Sequence, residues 1–273
     1  MWHRKAAFAG SFYPSDRKEL SAMIDKYLGE AEKTVIGGEL IAVISPHAGY
    51  IYSGPIAAYS YAQLKDSGVE LVVGIAPSHR ARFEGASVIP EGIYETPLGT
   101  LDIDSAACGK LVGSDYFGFI KEAHQFEHSL EVQVPFLQKV LGKFSIAPII
   151  IGTTDLEVCR EVARGICDAL SSESRKYAIV ISTDLSHYHS YNEAVNIDHR
   201  FMESLKSFDV EKVYGACSSM RAEACGEGAV IAGMDASRLL GATGIEILKY
   251  GNSGDTAGGR DQVVGYLSAA IYK

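Results

Sequence analysis

Three short, almost purely apolar runs constrain the fold of this chain more than any other feature. They occupy residues 40–44, 71–76 and 177–182 and are rich in Val and Ile. Runs of this kind, without polar alternation, are typical of strands buried on both faces of a sheet. Stretches with helical periodicity lie between them. Repeated alternation of strand and helix predicts an α/β fold, with a mostly parallel sheet flanked by helices on both faces.

The spacing of apolar residues locates the other elements. It predicts helices over about 16–32, 54–64, 130–141, 156–170, 193–206 and 228–240, and further strands over 146–151, 245–250 and 263–271. Only a Gly-rich loop separates the last two strands, so part of the sheet is predicted to be antiparallel. Since no repeat or linker interrupts residues 1–273, we interpret them as a single domain.

Size and composition argue against several classes of protein. With 47% hydrophobic residues, a chain of 273 residues can bury a large core without a structural metal. The net charge of −9, without a basic stripe, argues against a nucleic-acid partner. No segment resembles a signal peptide or a membrane span, so we expect a cytoplasmic protein without a membrane partner. The five cysteines include no CxxC pair, which is typical of reduced thiols.

Each of the three apolar runs is followed by a polar turn and a histidine. These histidines are His47, His79 and His187. Any one of them alone is better explained as a loop cap or a donor to a backbone carbonyl. However, the carboxyl ends of parallel strands meet at one edge of a sheet, which is where ligands bind in α/β folds. Three histidines at that edge favour a shared site.

Two further residues have the chemistry to complete such a site. Asp184 lies shortly before His187 and could set the tautomer of that imidazole or act directly, although loop capping explains it as well. Cys225 lies in a turn-like segment, 223–228, ahead of an apolar helix. A thiolate beside two neutral imidazoles suits zinc, copper(I) or iron. The Gly-rich segment 251–259 lacks the ending of a phosphate-binding loop, so no nucleotide cofactor is expected.

A second polar cluster begins the helix predicted over 130–141. Glu127 and Glu131 are explained by the preference for acidic residues in the first turn of a helix. His128 between them is less easily explained, but the sequence does not identify it as a ligand. The nearby His124 is predicted to lie at the surface.

Several motifs, in this order along the chain, resemble the signatures of the Memo family. They are Ala9-Gly10-Ser11-Phe12-Tyr13, Pro46-His47-Ala48-Gly49-Tyr50-Ile51-Tyr52-Ser53-Gly54, Pro77-Ser78-His79, Glu127-His128-Ser129-Leu130-Glu131, Ser182-Thr183-Asp184 with His187, and Ala224-Cys225-Gly226. The resemblance extends from about residue 7 to the final strand.

The resemblance implies a fold similar to the class III extradiol dioxygenases. Those enzymes hold non-haem iron(II) with two His and one Glu, and use another His as the acid/base. By resemblance, His47 and His79 match the metal-binding histidines, and Cys225 stands where the dioxygenases have the carboxylate. His187 matches the acid/base histidine, with Asp184 beside it. A thiolate in place of a carboxylate changes metal preference and redox behaviour.

We therefore expect a metal-dependent oxidoreductase that uses iron or copper and acts on a small oxygenated or aromatic compound. The alternative is a non-catalytic module that binds a peptide or protein in a vestigial enzyme pocket. A zinc hydrolase is a third hypothesis, with Glu127 or His187 as the base. The ligand in the pocket is expected to be a small molecule or a peptide. Oligomeric state stays open, because the 15 tyrosines do not locate an interface.

Overall fold

The computed structural model of the protein describes residues 2–273. The strands are β1 (Trp2–Arg4), β2 (Leu40–Ser45), β3 (Leu71–Pro77), β4 (Ala86–Val88), β5 (Gly92–Thr96), β6 (Gly99–Ile103), β7 (Phe117–Gly118), β8 (Ser145–Ile151), β9 (Tyr177–Ser182), β10 (His187–His189), β11 (Gly244–Asn252) and β12 (Val263–Tyr272). The helices are α1 (Arg17–Glu30), α2 (Tyr50–Leu64), α3 (Ser105–Val112), α4 (Lys121–Gln125), α5 (His128–Glu131), α6 (Gln133–Val140), α7 (Leu156–Leu170), α8 (Tyr191–Lys206), α9 (Val210–Ser218), α10 (Glu227–Leu239) and α11 (Ser253–Thr256).

These strands form one large mixed sheet. Its centre is parallel, with β8, β3, β9 and β2 side by side. Strand β12 pairs antiparallel with β2, and β11 and β10 both pair antiparallel with β12. On the other side, β6 follows β8 and leads through β5 to β1 at the edge. The α/β fold and the antiparallel pairing of the last two long strands are therefore confirmed.

Helices cover both faces of the central strands. The side chains of adjacent strand residues point to opposite faces, so neighbouring positions in β3 report on both helical layers. An added Cβ at Gly74 would lie 2.6 Å from Leu130 of α5. Ile75, the next residue, lies on the face that α10 covers with Gly233. Among residues 2–273, no helix is both long enough and apolar enough to cross a membrane.

The helix predicted over 130–141 is in fact two short helices, α5 and α6. Pro135 explains the break, because it has no N–H to donate to the carbonyl of Glu131 one turn earlier. The segment 86–118, for which the sequence suggested no regular structure, contains strands β4 to β7 and helix α3. Its strands are only two to five residues long, which is too short to show a clear period.

A buried ion pair fastens the amino-terminal segment to α5. Arg4 and Glu131 are both fully buried, and Arg4 Nη1 lies 2.6 Å from Glu131 Oε2. The Arg4 guanidinium also donates to the carbonyls of His124 (2.7 Å) and Glu127 (2.8 Å). The other carboxylate oxygen of Glu131 accepts from the hydroxyl of Tyr13 at 2.5 Å. Glu131 therefore has a specific structural partner beyond the helix dipole.

The prediction that His124 lies at the surface is wrong. Its side chain is buried, and its Nε2 lies 2.9 Å from the hydroxyl oxygen of Ser87. Trp2 packs edge-on against the ring, with 6.2 Å between the ring centroids. Trp2 of strand β1, at the sheet edge, thus covers His124, although His124 lies on the short polar helix α4.

Replacing Arg4 by Met is expected to lower the free energy of unfolding by about 3–5 kcal/mol, because Glu131 is left as a buried charge without its partner. Urea unfolding at neutral pH measures this change. Lys206→Met removes one partner of an exposed pair with Glu203 and should change stability far less. A similar loss in the two variants would contradict the importance of the buried pair.

Candidate metal centre

The carboxyl ends of β2, β9 and β3 bring the candidate site together. These three strands are neighbours and parallel, so the turns that follow them meet at one edge of the sheet. They supply His47, Asp184 and His79 respectively. The ring centroids of His47 and His79 are 5.2 Å apart. The convergence predicted from the strand ends is therefore present for this pair.

His47 is buried and held on both sides. Its backbone N–H donates to Asp184 Oδ1 at 2.7 Å, which fixes the turn after β2. Its Nδ1 lies 2.8 Å from the hydroxyl oxygen of Ser182. Its Nε2 lies 3.1 Å from the sulfur of Cys225. Burial, with a further contribution from nearby His79, lowers the pKa of His47 well below its usual value, so the ring is neutral as metal ligation requires.

His79 is oriented by the carboxylate of Glu127. The backbone N–H of His79 donates to Glu127 Oε2 at 2.6 Å, and its Nδ1 lies 2.9 Å from Oε1. Burial raises the pKa of Glu127, but hydrogen bonds from His79 and Ser129 outweigh it and lower the pKa to about 2. Because an ionised carboxylate only accepts, the proton of His79 sits on Nδ1 and Nε2 is free. This is the usual arrangement behind a metal-binding histidine.

His128 is the site residue that the sequence did not identify. Its ring stacks on His79, with 4.7 Å between centroids, and packs against Phe12 at 4.7 Å. One ring nitrogen from each of His47, His79 and His128 lies within 4.8 Å of the other two. The available signal was its position in the polar cluster 127–131, directly after the residue that holds His79.

The electrostatics of His128 suit a ligand more than a structural residue. Its Nδ1 is buried without a hydrogen bond, although Glu127 Oε1 lies 3.4 Å away. Burial, followed by the nearby His47, lowers the pKa of His128 to about 3. A buried polar atom without a partner is rare, because losing hydration without gaining a hydrogen bond is costly.

Cys225 contacts His47 but lies outside the group of three imidazoles. Its position depends on the next residue, Gly226, where an added Cβ would lie 2.4 Å from the carbonyl oxygen of Ser182. The backbone N–H groups of Cys225 and Asp184 bond reciprocally to Asp184 O (3.2 Å) and Cys225 Sγ (3.3 Å). Burial and the adjacent Asp184 raise the pKa of this thiol, so it is protonated unless a cation is close.

His187 lies near Cys225, whereas Asp184 lies against His47. His187 and Cys225 line the same cavity of about 370 Å³. The Nδ1 of His187 lies 2.8 Å from the carbonyl oxygen of Leu185, which only accepts, so Nδ1 carries the proton and Nε2 is free. Asp184 hydrogen-bonds to His47, and it influences His187 only through charge. Burial raises the pKa of Asp184 above its usual value.

The donor set fits a transition-metal ion. Imidazole nitrogens suit iron, copper and zinc, and a thiol adds preference for soft ions. Two of the histidines, His47 and His79, each have a fixed Nδ1 partner and direct Nε2 inwards, and His128 offers a nitrogen without a partner. The Nε2 of His47 also contacts the sulfur of Cys225 at 3.1 Å, which places a thiol beside the imidazole cluster.

The fold and the site define an α/β protein with a cluster of histidines at the carboxyl edge of its parallel strands. The chain belongs to the Memo family: the family model described as Memo-like protein matches residues 4–270. A MEMO1 family protein of Nitrosopumilus maritimus is 38% identical over 269 residues, covering 96% of this chain and 97% of the relative. One of Methanothermobacter thermautotrophicus is 37% identical over 271 residues, covering 96% and 98% respectively. One of Aquifex aeolicus is 36% identical over 265 residues, covering 97% of each.

Replacing Glu127 by Ala is expected to lower the free energy of unfolding of the metal-free protein by about 1–3 kcal/mol, because the partly buried N–H of His79 and the buried N–H of Ser129 lose their acceptor. Chemical denaturation measures the loss. Glu122→Ala, in the exposed first turn of α4, is the matched control and should have little effect. Equal stability of the two variants would argue against Glu127 as the support of His79.

Proposed function

We propose that the pocket binds iron or copper and that the protein is a metal-dependent oxidoreductase, related to the extradiol dioxygenases, which acts on a small oxygenated or aromatic compound. The observation that carries the proposal is the group of three imidazoles whose nitrogens lie within 4.8 Å of one another. His47 and His79 are the common ligands in this proposal. Cys225, expected from the resemblance, and His128, found from geometry, are the competing third ligands.

The residues around the ligands have separate tasks in this proposal. A bound iron or copper ion would supply Lewis acidity and one-electron chemistry. Glu127 fixes the ring of His79 through two hydrogen bonds. His187 accepts a proton during the reaction through its Nε2, because its Nδ1 donates to the carbonyl oxygen of Leu185. Asp184 orients the site by holding the turn of His47 through a hydrogen bond to its backbone N–H.

The first test is the metal content of protein purified without oxygen, together with its affinity for Fe²⁺, Cu⁺ and Zn²⁺. We expect stoichiometric iron or copper. His47→Ala and His79→Ala should weaken binding by more than the roughly 10–100-fold typical of losing an outer-shell partner. His199→Ala, which removes an exposed histidine of α8, is the matched control.

Two further variants distinguish the third ligand. Cys225→Ser should abolish the sulfur-to-metal charge-transfer absorption of the Co²⁺-loaded protein if the thiolate binds, whereas Cys167→Ser should leave it intact. His128→Gln should weaken binding without changing that absorption if the imidazole binds. Specific uptake of zinc alone would favour the zinc hydrolase, and no uptake of any metal would overturn the proposal.

A second candidate function, a non-catalytic module for a peptide or protein ligand, is supported by the surface beside the site. Exposed apolar side chains lie close in sequence to site residues: Ile51, Tyr52, Phe126 and Tyr188. Met220, 87% exposed, lines the same cavity as His187 and Cys225. Exposed apolar side chains beside a cavity, such as Met220, are typical of binding surfaces. In either function we propose a cytoplasmic location, where free thiols such as Cys225 stay reduced.

The two candidates differ in their dependence on His187. If the protein is an oxidoreductase, the His187→Ala variant should keep its metal and lose most oxygen consumption, because the proton acceptor is gone. If the protein is instead a binding module, the same variant should retain ligand binding and cellular function. The measurement is oxygen uptake by the metal-loaded protein, with complementation of a deletion strain as the second assay. Full complementation together with absent oxygen uptake in both proteins would favour the binding module.

A further inference from the structure

The hydroxyl group of Ser182, the last residue of β9, can donate one hydrogen bond but has three polar neighbours. Its hydroxyl oxygen lies 2.6 Å from the carbonyl oxygen of Ser129, which can only accept. The single hydroxyl proton of Ser182 is therefore donated to Ser129. Toward its other neighbours, including His47 Nδ1 at 2.8 Å, the same oxygen can only accept.

Gln133, buried in α6, holds Ser182 in this orientation. Its amide nitrogen donates to Ser182 Oγ at 2.8 Å and to the carbonyl oxygen of Pro46 at 3.0 Å. Its amide oxygen accepts from the hydroxyl of Tyr61. The opposite amide orientation would place oxygen against the Pro46 carbonyl, so the direction of these bonds is fixed. Ser182 thus accepts two hydrogen bonds and donates one, which satisfies its full capacity.

We propose that Ser182 and Gln133 are positioning residues that hold His47 in the tautomer with its proton on Nδ1. Nε2 is then unprotonated and can only accept, and it lies 3.1 Å from Cys225 Sγ. In the other tautomer, Nδ1 would need the Ser182 proton, and the 2.6 Å contact between Ser182 and Ser129 would join two acceptors. The tautomer itself follows from these hydrogen bonds alone, whereas its use in metal binding rests on the proposed function.

The direct test is ¹⁵N NMR of the histidine rings in the metal-free, full-length protein, with the His47 signals assigned by comparison with His47→Ala. Two-bond nitrogen–proton correlations distinguish the two neutral tautomers. We expect His47 to be protonated on Nδ1 in the wild-type protein. A proton on Nε2 in the wild-type protein would overturn the proposal.

Variants then test the two positioning residues. Ser182→Ala should give a mixture of tautomers at His47, and Gln133→Met should give a smaller shift in the same direction. Ser182→Thr keeps the hydroxyl and should restore the wild-type tautomer. Ser60→Ala is the matched control, since Ser60 is likewise a buried serine whose hydroxyl donates to a backbone carbonyl, Ile44 O, at 2.5 Å. An unchanged His47 tautomer in folded Ser182→Ala would overturn the role of Ser182.

The affinity for Zn²⁺ alone, measured by calorimetry, connects the tautomer to the site. We expect Ser182→Ala to bind about 10–100-fold more weakly than the wild-type protein, and Ser182→Thr to recover most of that loss. An Nδ1-protonated His47 in a protein that takes up no metal would overturn the proposed function and leave this inference standing. Metal binding by a protein whose His47 is protonated on Nε2 before loading would do the reverse.

Discussion

The buried ion pair between Arg4 and Glu131 supports the short helix on which the candidate site depends. That helix has only four residues, far too few to be stable by itself, so its position must come from tertiary contacts. Arg4 supplies them by binding the Glu131 carboxylate and the carbonyl that precedes the helix, at Glu127. The helix in turn presents His128 to the pocket, and its Ser129 carbonyl oxygen accepts a hydrogen bond from the hydroxyl of Ser182. Histidine orientation in the pocket is thus linked to a residue near the amino terminus.

The strand ends were predictable because they depend on local chemistry. Strand 177–182 was predicted with its observed bounds, and 71–76 differs by one residue, since β-branched residues and the turns after them mark strand limits. The parallel strands β2 and β3, which lie on either side of β9, then bring His47 and His79 to the same edge of the sheet. The Memo resemblance added Cys225 to the predicted site, and Cys225 does contact His47.

The partners of these histidines were not predictable from local patterns. Glu127 is far from His79 in sequence, and an acidic residue before a helix is explained equally well as an N-cap, a role it also performs. His128 has no periodic signal, because α5 is a single turn. His124 was placed wrongly because polar neighbours suggested exposure, whereas the covering strand comes from the start of the chain. Long-range packing decided all three.

The span of the site along the chain has a consequence for how it forms. Its supports begin at Arg4 and its last polar side chain is Cys225, which lies in the turn before α10. The loops closed between these residues include most of the sequence, and non-local contacts of this kind form late in folding. No amino-terminal fragment made during synthesis contains the whole set of donors until most of the chain has emerged. All three imidazoles lie within residues 47–128, but the groups that hold His47, Ser182 and Asp184, come from the end of β9. The pocket is therefore completed only when the central sheet is nearly assembled.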